Sequence, residues 1–143
     1  MIVTIYISQR HIVELERIAR ESYPAEACAL LEGTVKDINS KSSDQYAIVM
    51  AVIRMHNADE SIYSFRIDSK DLINAYQEIS SRNNDVVGIF HSHPSKPYPS
   101  LTDVKFMELN PVVWLIYSTL SQTFAAYVLD HEVIEIRLES STH

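Results

Sequence analysis

The chain has 143 residues, 46% apolar and 22% charged, a balance that suits one packed core and excludes a disordered segment. Lys and Arg number 12 against 19 Asp and Glu, a formal charge of -7, and no basic stripe is interleaved with aromatics, which excludes a nucleic-acid backbone as the main partner. Cys28 is the one cysteine; it rules out an intramolecular disulfide and fits a reducing, cytoplasmic setting.

Met1 to Ile7 is apolar but lacks a basic start, a long apolar run and a small-residue cleavage site, so it reads as a strand rather than a signal peptide. No apolar stretch approaches the length that spans a bilayer, and no membrane partner is expected. Ser8 is placed to cap a helix whose Ile12, Leu15, Ile18 and Ala19 share one face, and Pro24 requires that helix to have stopped. Ala27 to Leu31 is a short apolar run closed by Gly33, and residues 34–45 form a polar loop or hairpin connection. Tyr46 to Met55 is apolar and β-branched, a strand. His56 to Ser61 is a polar loop ahead of a short strand around Tyr63 to Ile67.

Asp68 is an N-cap for a second helix with Leu72, Tyr76 and Ile79 on its apolar stripe, ended by the run Arg82 to Asp85. Val86 to Phe90 is a nearly continuous apolar strand buried on both faces, and Gly88 within it marks a close backbone approach. A proline-broken loop, Pro94 to Pro99, leads to a short helix from about Leu101. Val112 to Tyr117 and Phe124 to Leu129 are further buried strands, and Val133 to Leu138 alternates in the period of a half-buried one.

With no repeat, low-complexity tract or linker, residues 1–143 read as a single domain. Its fold class is α/β (α+β): a mixed, largely antiparallel sheet flanked by two main helices, plus a short helix carrying Asp103. No Gly-rich phosphate loop follows a strand, which leaves nucleotide chemistry without support.

The chemistry concentrates in His91-Ser92-His93-Pro94 and Ser100-Leu101-Thr102-Asp103. At strand geometry the side chains of His91 and His93 point to one side while Ser92 points to the other. Pro94 ends the strand, and Asp103 arrives on the first turn of the short helix. Two imidazoles and a carboxylate are the ligand types of an open zinc site whose fourth position holds water. Each part also has a plainer role: paired histidines can flank a turn, and Ser100 with Asp103 fits a capping box.

His91-x-His93-Pro94, seven residues to Ser100 and three more to Asp103, resembles the signature of the JAMM metallopeptidases, the catalytically active MPN domains. Pro24-Ala25-Glu26-Ala27-Cys28 matches the place of that family's upstream glutamate, and Phe65-Arg66-Ile67-Asp68 its passage into the second helix. The likeness covers nearly the whole chain and departs at no motif position. It implies an MPN, cytidine-deaminase-like fold and one zinc ion per chain on His91, His93 and Asp103. It further implies Glu26 as general base and Ser100 as a donor to the oxyanion. Spacing alone leaves Glu32, Glu60 and Glu108 as competing acids; the resemblance selects Glu26.

The same likeness implies hydrolysis of isopeptide or peptide bonds at the C-terminus of a ubiquitin-like or sulfur-carrier protein. The short span from Asp103 to Trp114 leaves no room for a large insertion, as in a minimal prokaryotic member. A hydrolase releasing cysteine from a sulfur-carrier protein shares that chemistry. A non-catalytic MPN scaffold is a rival of another class, and a JAMM-like domain tied to DNA repair is disfavoured by the acidic balance. Residues 57–64 are a place where a substrate tail can add as a strand. Oligomeric state stays open, a homodimer among the options.

Cys28 in an apolar strand reads as a small hydrophobe rather than a nucleophile. His11, His56 and His131 lack ligand-like neighbours and read as surface or packing residues. Trp114 and Tyr117 read as core.

Overall fold

Ser8 closes the first strand and opens the first helix in one residue, its hydroxyl accepting from the His11 amide at 3.3 Å. The computed structural model of the protein describes residues 1–59 and 66–141. Among them lie strands β1 (Ile2–Ser8), β2 (Cys28–Asp37), β3 (Gln45–Met55), β4 (Asp85–His93), β5 (Val113–Ser118), β6 (Thr123–Asp130) and β7 (Glu132–Ser141). Helices α1 (Gln9–Ser22), α2 (Ser69–Ser81) and α3 (Leu101–Leu109) complete the described elements.

The α/β class agrees with the sequence, but the sheet is not an open layer between helices. It closes into a barrel in the order β1-β3-β2-β4-β5-β6-β7. β1 pairs in parallel with both β3 and β7 and so joins the two ends. β4 and β5 are also parallel, and the remaining described pairs are antiparallel, so the sheet is mixed. Hydrophobic periodicity reports which face of β1 is buried, not which strands take its two rows of backbone groups, and closure satisfies both rows.

The hairpin reading of residues 34–45 holds, with β2 running on to Asp37. The short strand around Tyr63 falls mostly outside the described residues, and Arg66 and Ile67 are not in a strand. On α2, Ala75 and Ile79 are buried while Tyr76 lies at the margin, 37% exposed.

β5 shows how the sequence supports burial on both faces. Val113, Leu115 and Tyr117 join the cluster built by α1, with Ile12, Leu15 and Ile18. Trp114 and Ile116 join the opposite cluster, with Ala75 and Ile79 of α2 and Met107 of α3. Trp114 and Tyr117 are therefore core, as expected. Close strand approach needs glycine twice. A Cβ at Gly33 would lie 1.8 Å from the Ile48 carbonyl oxygen, and one at Gly88 would lie 2.9 Å from Leu31 Cδ1 and 3.0 Å from the Val113 carbonyl oxygen. Among the described residues, no helix is long and apolar enough to cross a membrane.

Candidate active site and metal centre

β4 carries both histidines past Phe90 to its last residue, where strand alternation sorts the side chains. Ile89 packs in the cluster of α2 and α3, and His91 stands on that same face, its ring edge-on to Trp114 at 5.9 Å. Phe90 belongs to the opposite cluster, and Ser92 turns that way too. The Ser92 hydroxyl accepts from the Ala27 amide at 3.0 Å, and the Ser92 amide donates to the Ala27 carbonyl at 3.1 Å. That pairing explains how Glu26 reaches the histidines: Cys28 opens β2 opposite His91, and Ala27 is stapled to Ser92.

Asp103 reaches the same point from α3. Ser100 caps the helix, its hydroxyl accepting from the Asp103 amide at 3.0 Å, while the Ser100 amide donates to Asp103 Oδ2 at 2.9 Å. The capping box is thus complete, and it fixes the carboxylate's direction as well as the helix start.

His91 Nε2 lies 3.2 Å from Asp103 Oδ2, and His91 Nδ1 lies 3.3 Å from Glu26 Oε1. The His91 and His93 ring centroids are 5.2 Å apart. One donor atom from each of His91, His93 and Asp103 falls within 4.8 Å of the others, and all three residues are buried. Two imidazoles and a carboxylate gathered out of water are a donor set that fits zinc.

The Tyr98 carbonyl, which can only accept, lies 3.2 Å from His93 Nε2, and Ser95 Oγ lies 2.9 Å from Nδ1. In the neutral ring Nε2–H therefore donates to Tyr98, and the Ser95 hydroxyl donates to Nδ1. Tyr127 secures that loop, its hydroxyl donating to the Pro97 carbonyl at 2.5 Å and its ring meeting Tyr98 edge-on at 5.4 Å. Burial, then Glu135, pushes the Tyr127 phenol up to about 12, so it stays a donor at neutral pH.

Burial works against charge on the His91 ring, but Asp103 and Glu26 outweigh it and push its pKa up to about 9. Burial also acts to raise the Asp103 carboxyl, yet His91 and Ser100 hold it below the usual carboxylate range. His93 is shifted the other way, lowered by burial and by His91. The thiol of Cys28 is pushed up to about 12 by burial and by Glu26, which removes it as a nucleophile.

The competing acids separate by place. Glu32 is buried, but its carboxylate accepts from Arg82 at 2.7 and 3.0 Å and from Asn84 at 2.7 Å, a structural ion pair that ties α2's end to β2. Glu108 is exposed on α3, and Glu60 lies outside the described residues. His11 packs on α1, and His131 is exposed in the β6–β7 turn. Two contributors escape sequence reasoning. Asn57, 8% exposed, donates to the Glu26 carbonyl at 2.9 Å. Tyr127 anchors the loop from another strand. Neither carries a local signal, because each partner is some thirty residues away.

Proteins named desampylase are similar to this chain: one from Pyrococcus furiosus is 32% identical over 93 residues, 63% of this chain and 66% of that protein. Another from Haloferax volcanii is 32% identical over 96 residues, 66% of this chain and 63% of that protein. A CysO-cysteine peptidase from Mycobacterium tuberculosis is 30% identical over 102 residues, 71% of this chain and 64% of that protein. The matched part thus spans less than two thirds of the length of these relatives. In fold, the chain is similar to a protein from Desulfitobacterium hafniense solved in solution. The TM-score is 0.78 at 27% identity, over 100% of this chain and 94% of that one. A solution structure from Salinibacter ruber gives a TM-score of 0.65 at 25% identity, over 93% and 90% of the two chains. Residues 8–130 match the family of prokaryotic homologs of the JAB domain, the JAMM and MPN kind that the His91 to Asp103 signature resembles, and the chain belongs to that family.

Proposed function

We propose that this chain is a zinc-dependent protease acting as a single cytoplasmic domain. It hydrolyses the isopeptide or peptide bond at the C-terminus of a ubiquitin-like or sulfur-carrier protein. The observation that carries this reading is the buried group of His91, His93 and Asp103, with the Glu26 carboxylate 3.3 Å from His91 Nδ1. The names of the similar proteins, desampylase and CysO-cysteine peptidase, support the substrate class.

His91, His93 and Asp103 are the residues that would hold the metal. Zinc held there supplies Lewis acidity, polarising a carbonyl and acidifying water near neutral pH. Glu26, buried and anchored on the segment stapled to Ser92, takes the proton from the attacking water and returns one to the leaving amine. Ser100 uses its oxygen lone pair on the Asp103 amide, which leaves its own O–H to donate to the oxyanion. Trp114 beside His91 keeps bulk water from that flank.

Release of cysteine from a sulfur-carrier protein is the second reading, favoured by the CysO-cysteine peptidase relative. It needs the same residues and differs in the leaving amine. A non-catalytic MPN scaffold would not need Glu26 beside the ligand group.

Elemental analysis and a cleavage assay on a C-terminally linked modifier test the reading together. Wild type is expected to hold about one zinc per chain and Asp103→Ala to lose it. Glu26→Gln is expected to keep zinc and lose turnover. Zinc retention with no cleavage of any modifier conjugate by wild type would favour the scaffold.

A further inference from the structure

Glu26 lies two residues ahead of β2, so no ladder partner receives its carbonyl. Its neighbours are tied elsewhere: the Ala25 amide donates to Ser22 at 2.9 Å, and Ala27 is joined to Ser92. What holds the Glu26 peptide itself is a side chain from just past the end of β3. Asn57 is buried, and its Nδ2 donates to the Glu26 carbonyl at 2.9 Å.

The other end of the same carboxamide is also committed. Asn57 Oδ1 accepts from the Asp59 amide at 3.1 Å and from the Arg66 amide at 3.0 Å. The Ala58 amide donates to the Arg66 carbonyl at 2.8 Å, so both ends of this connection meet at Asn57. This network leaves one orientation for the amide. Turning it over would set its oxygen against the Glu26 carbonyl and its N–H groups against two backbone donors.

We propose that Asn57 is a positioning residue for the reaction: by holding the Glu26 carbonyl from the β3 side, while Ser92 holds Ala27 from the β4 side, it fixes where the Glu26 carboxylate stands beside His91. The inference rests on the reading of Glu26 as the base and goes beyond it in assigning what aims that base. The mechanism is geometric. Asn57 acts through the Glu26 carbonyl, and its loss lets the peptide that carries the carboxylate turn. A displacement of about 1 Å costs on the order of 10²-fold in rate.

Asn57→Asp is the variant of choice because it keeps the oxygen that accepts from Asp59 and Arg66 and replaces the Nδ2 donor to Glu26 with an acceptor. Asn57→Ala, which removes both ends, is made alongside it. Both are assayed as zinc-loaded full chains on a ubiquitin-like protein joined through its C-terminus to a lysine side chain, with kcat, KM and zinc content measured and Glu26→Gln as control. The expected result for Asn57→Asp is kcat lowered by roughly 10²-fold, KM within about 3-fold and zinc content unchanged. A kcat within about 2-fold of wild type, with Glu26→Gln inactive, overturns the positioning role and leaves the base assignment standing. Zinc lost along with activity in Asn57→Asp also overturns it, since Asn57 would then serve the fold as a whole. Full activity in Glu26→Gln overturns the base assignment instead, and this inference with it.

Discussion

A carboxylate near each ring nitrogen draws a proton onto His91, and this sets how the site responds to pH. The folded pKa of about 9 lies above the ordinary 6.5, so protonation of His91 contributes stability that is complete below pH 6.5. That contribution fades as pH rises through about 9. The melting temperature of the metal-free protein is therefore expected to fall between those values, measured by circular dichroism in the presence of a chelator. Zinc affinity should rise over the same interval, because the ring must give up its proton to bind metal. Competition with a chromophoric chelator reads this directly, and a pH-independent affinity would contradict the placement of His91 between Asp103 and Glu26. Glu32 behaves in the opposite sense: Arg82 holds its carboxyl low, so its contribution is present above the ordinary carboxylate range and disappears only in acid.

Ser100 joins element to chemistry, since its cap starts α3 and its amide orients Asp103. Ser100→Ala is expected to cost about 1 kcal/mol of stability through the lost cap. The oxyanion role proposed for Ser100 adds a fall in kcat of roughly 10²-fold to that loss. Thermal melts and steady-state kinetics separate the two effects, and a variant with the stability loss alone would confine Ser100 to capping. The elements themselves were largely legible in the chain. Ser8 and Asp68 announced their helices by cap chemistry, and β4 and β5 announced themselves by runs too apolar to face water on either side. The gathering of His91, His93 and Asp103 was legible because the three sit within thirteen positions and obey strand and helix periods. Asn57 and Tyr127 were not, because a side chain that serves a distant backbone carbonyl leaves no periodic trace. Tyr76 misled for a related reason: helical spacing placed it on the stripe, while Ala75 and Ile79 pack under α2.

Closure of the barrel is the property that no local pattern announced, and it governs the molecule as a whole. β7 is hydrogen-bonded to β6 on one side and to β1 on the other. A chain truncated after Asp130 is therefore expected to lose its fold entirely rather than persist as a smaller sheet. Trp114, 1% exposed in the intact protein, reports this by a red-shifted emission. Retained native fluorescence would mean that the remaining strands fold without the ring. A ring of strands also obeys a conservation rule. The register offsets around it must sum to a fixed value, so a slip of one residue at any pair has to be cancelled by an equal and opposite slip at another. The pairing of Cys28 with His91 is thus no bilateral agreement between β2 and β4. The whole circuit underwrites it, and with it the 3.3 Å between Glu26 and His91.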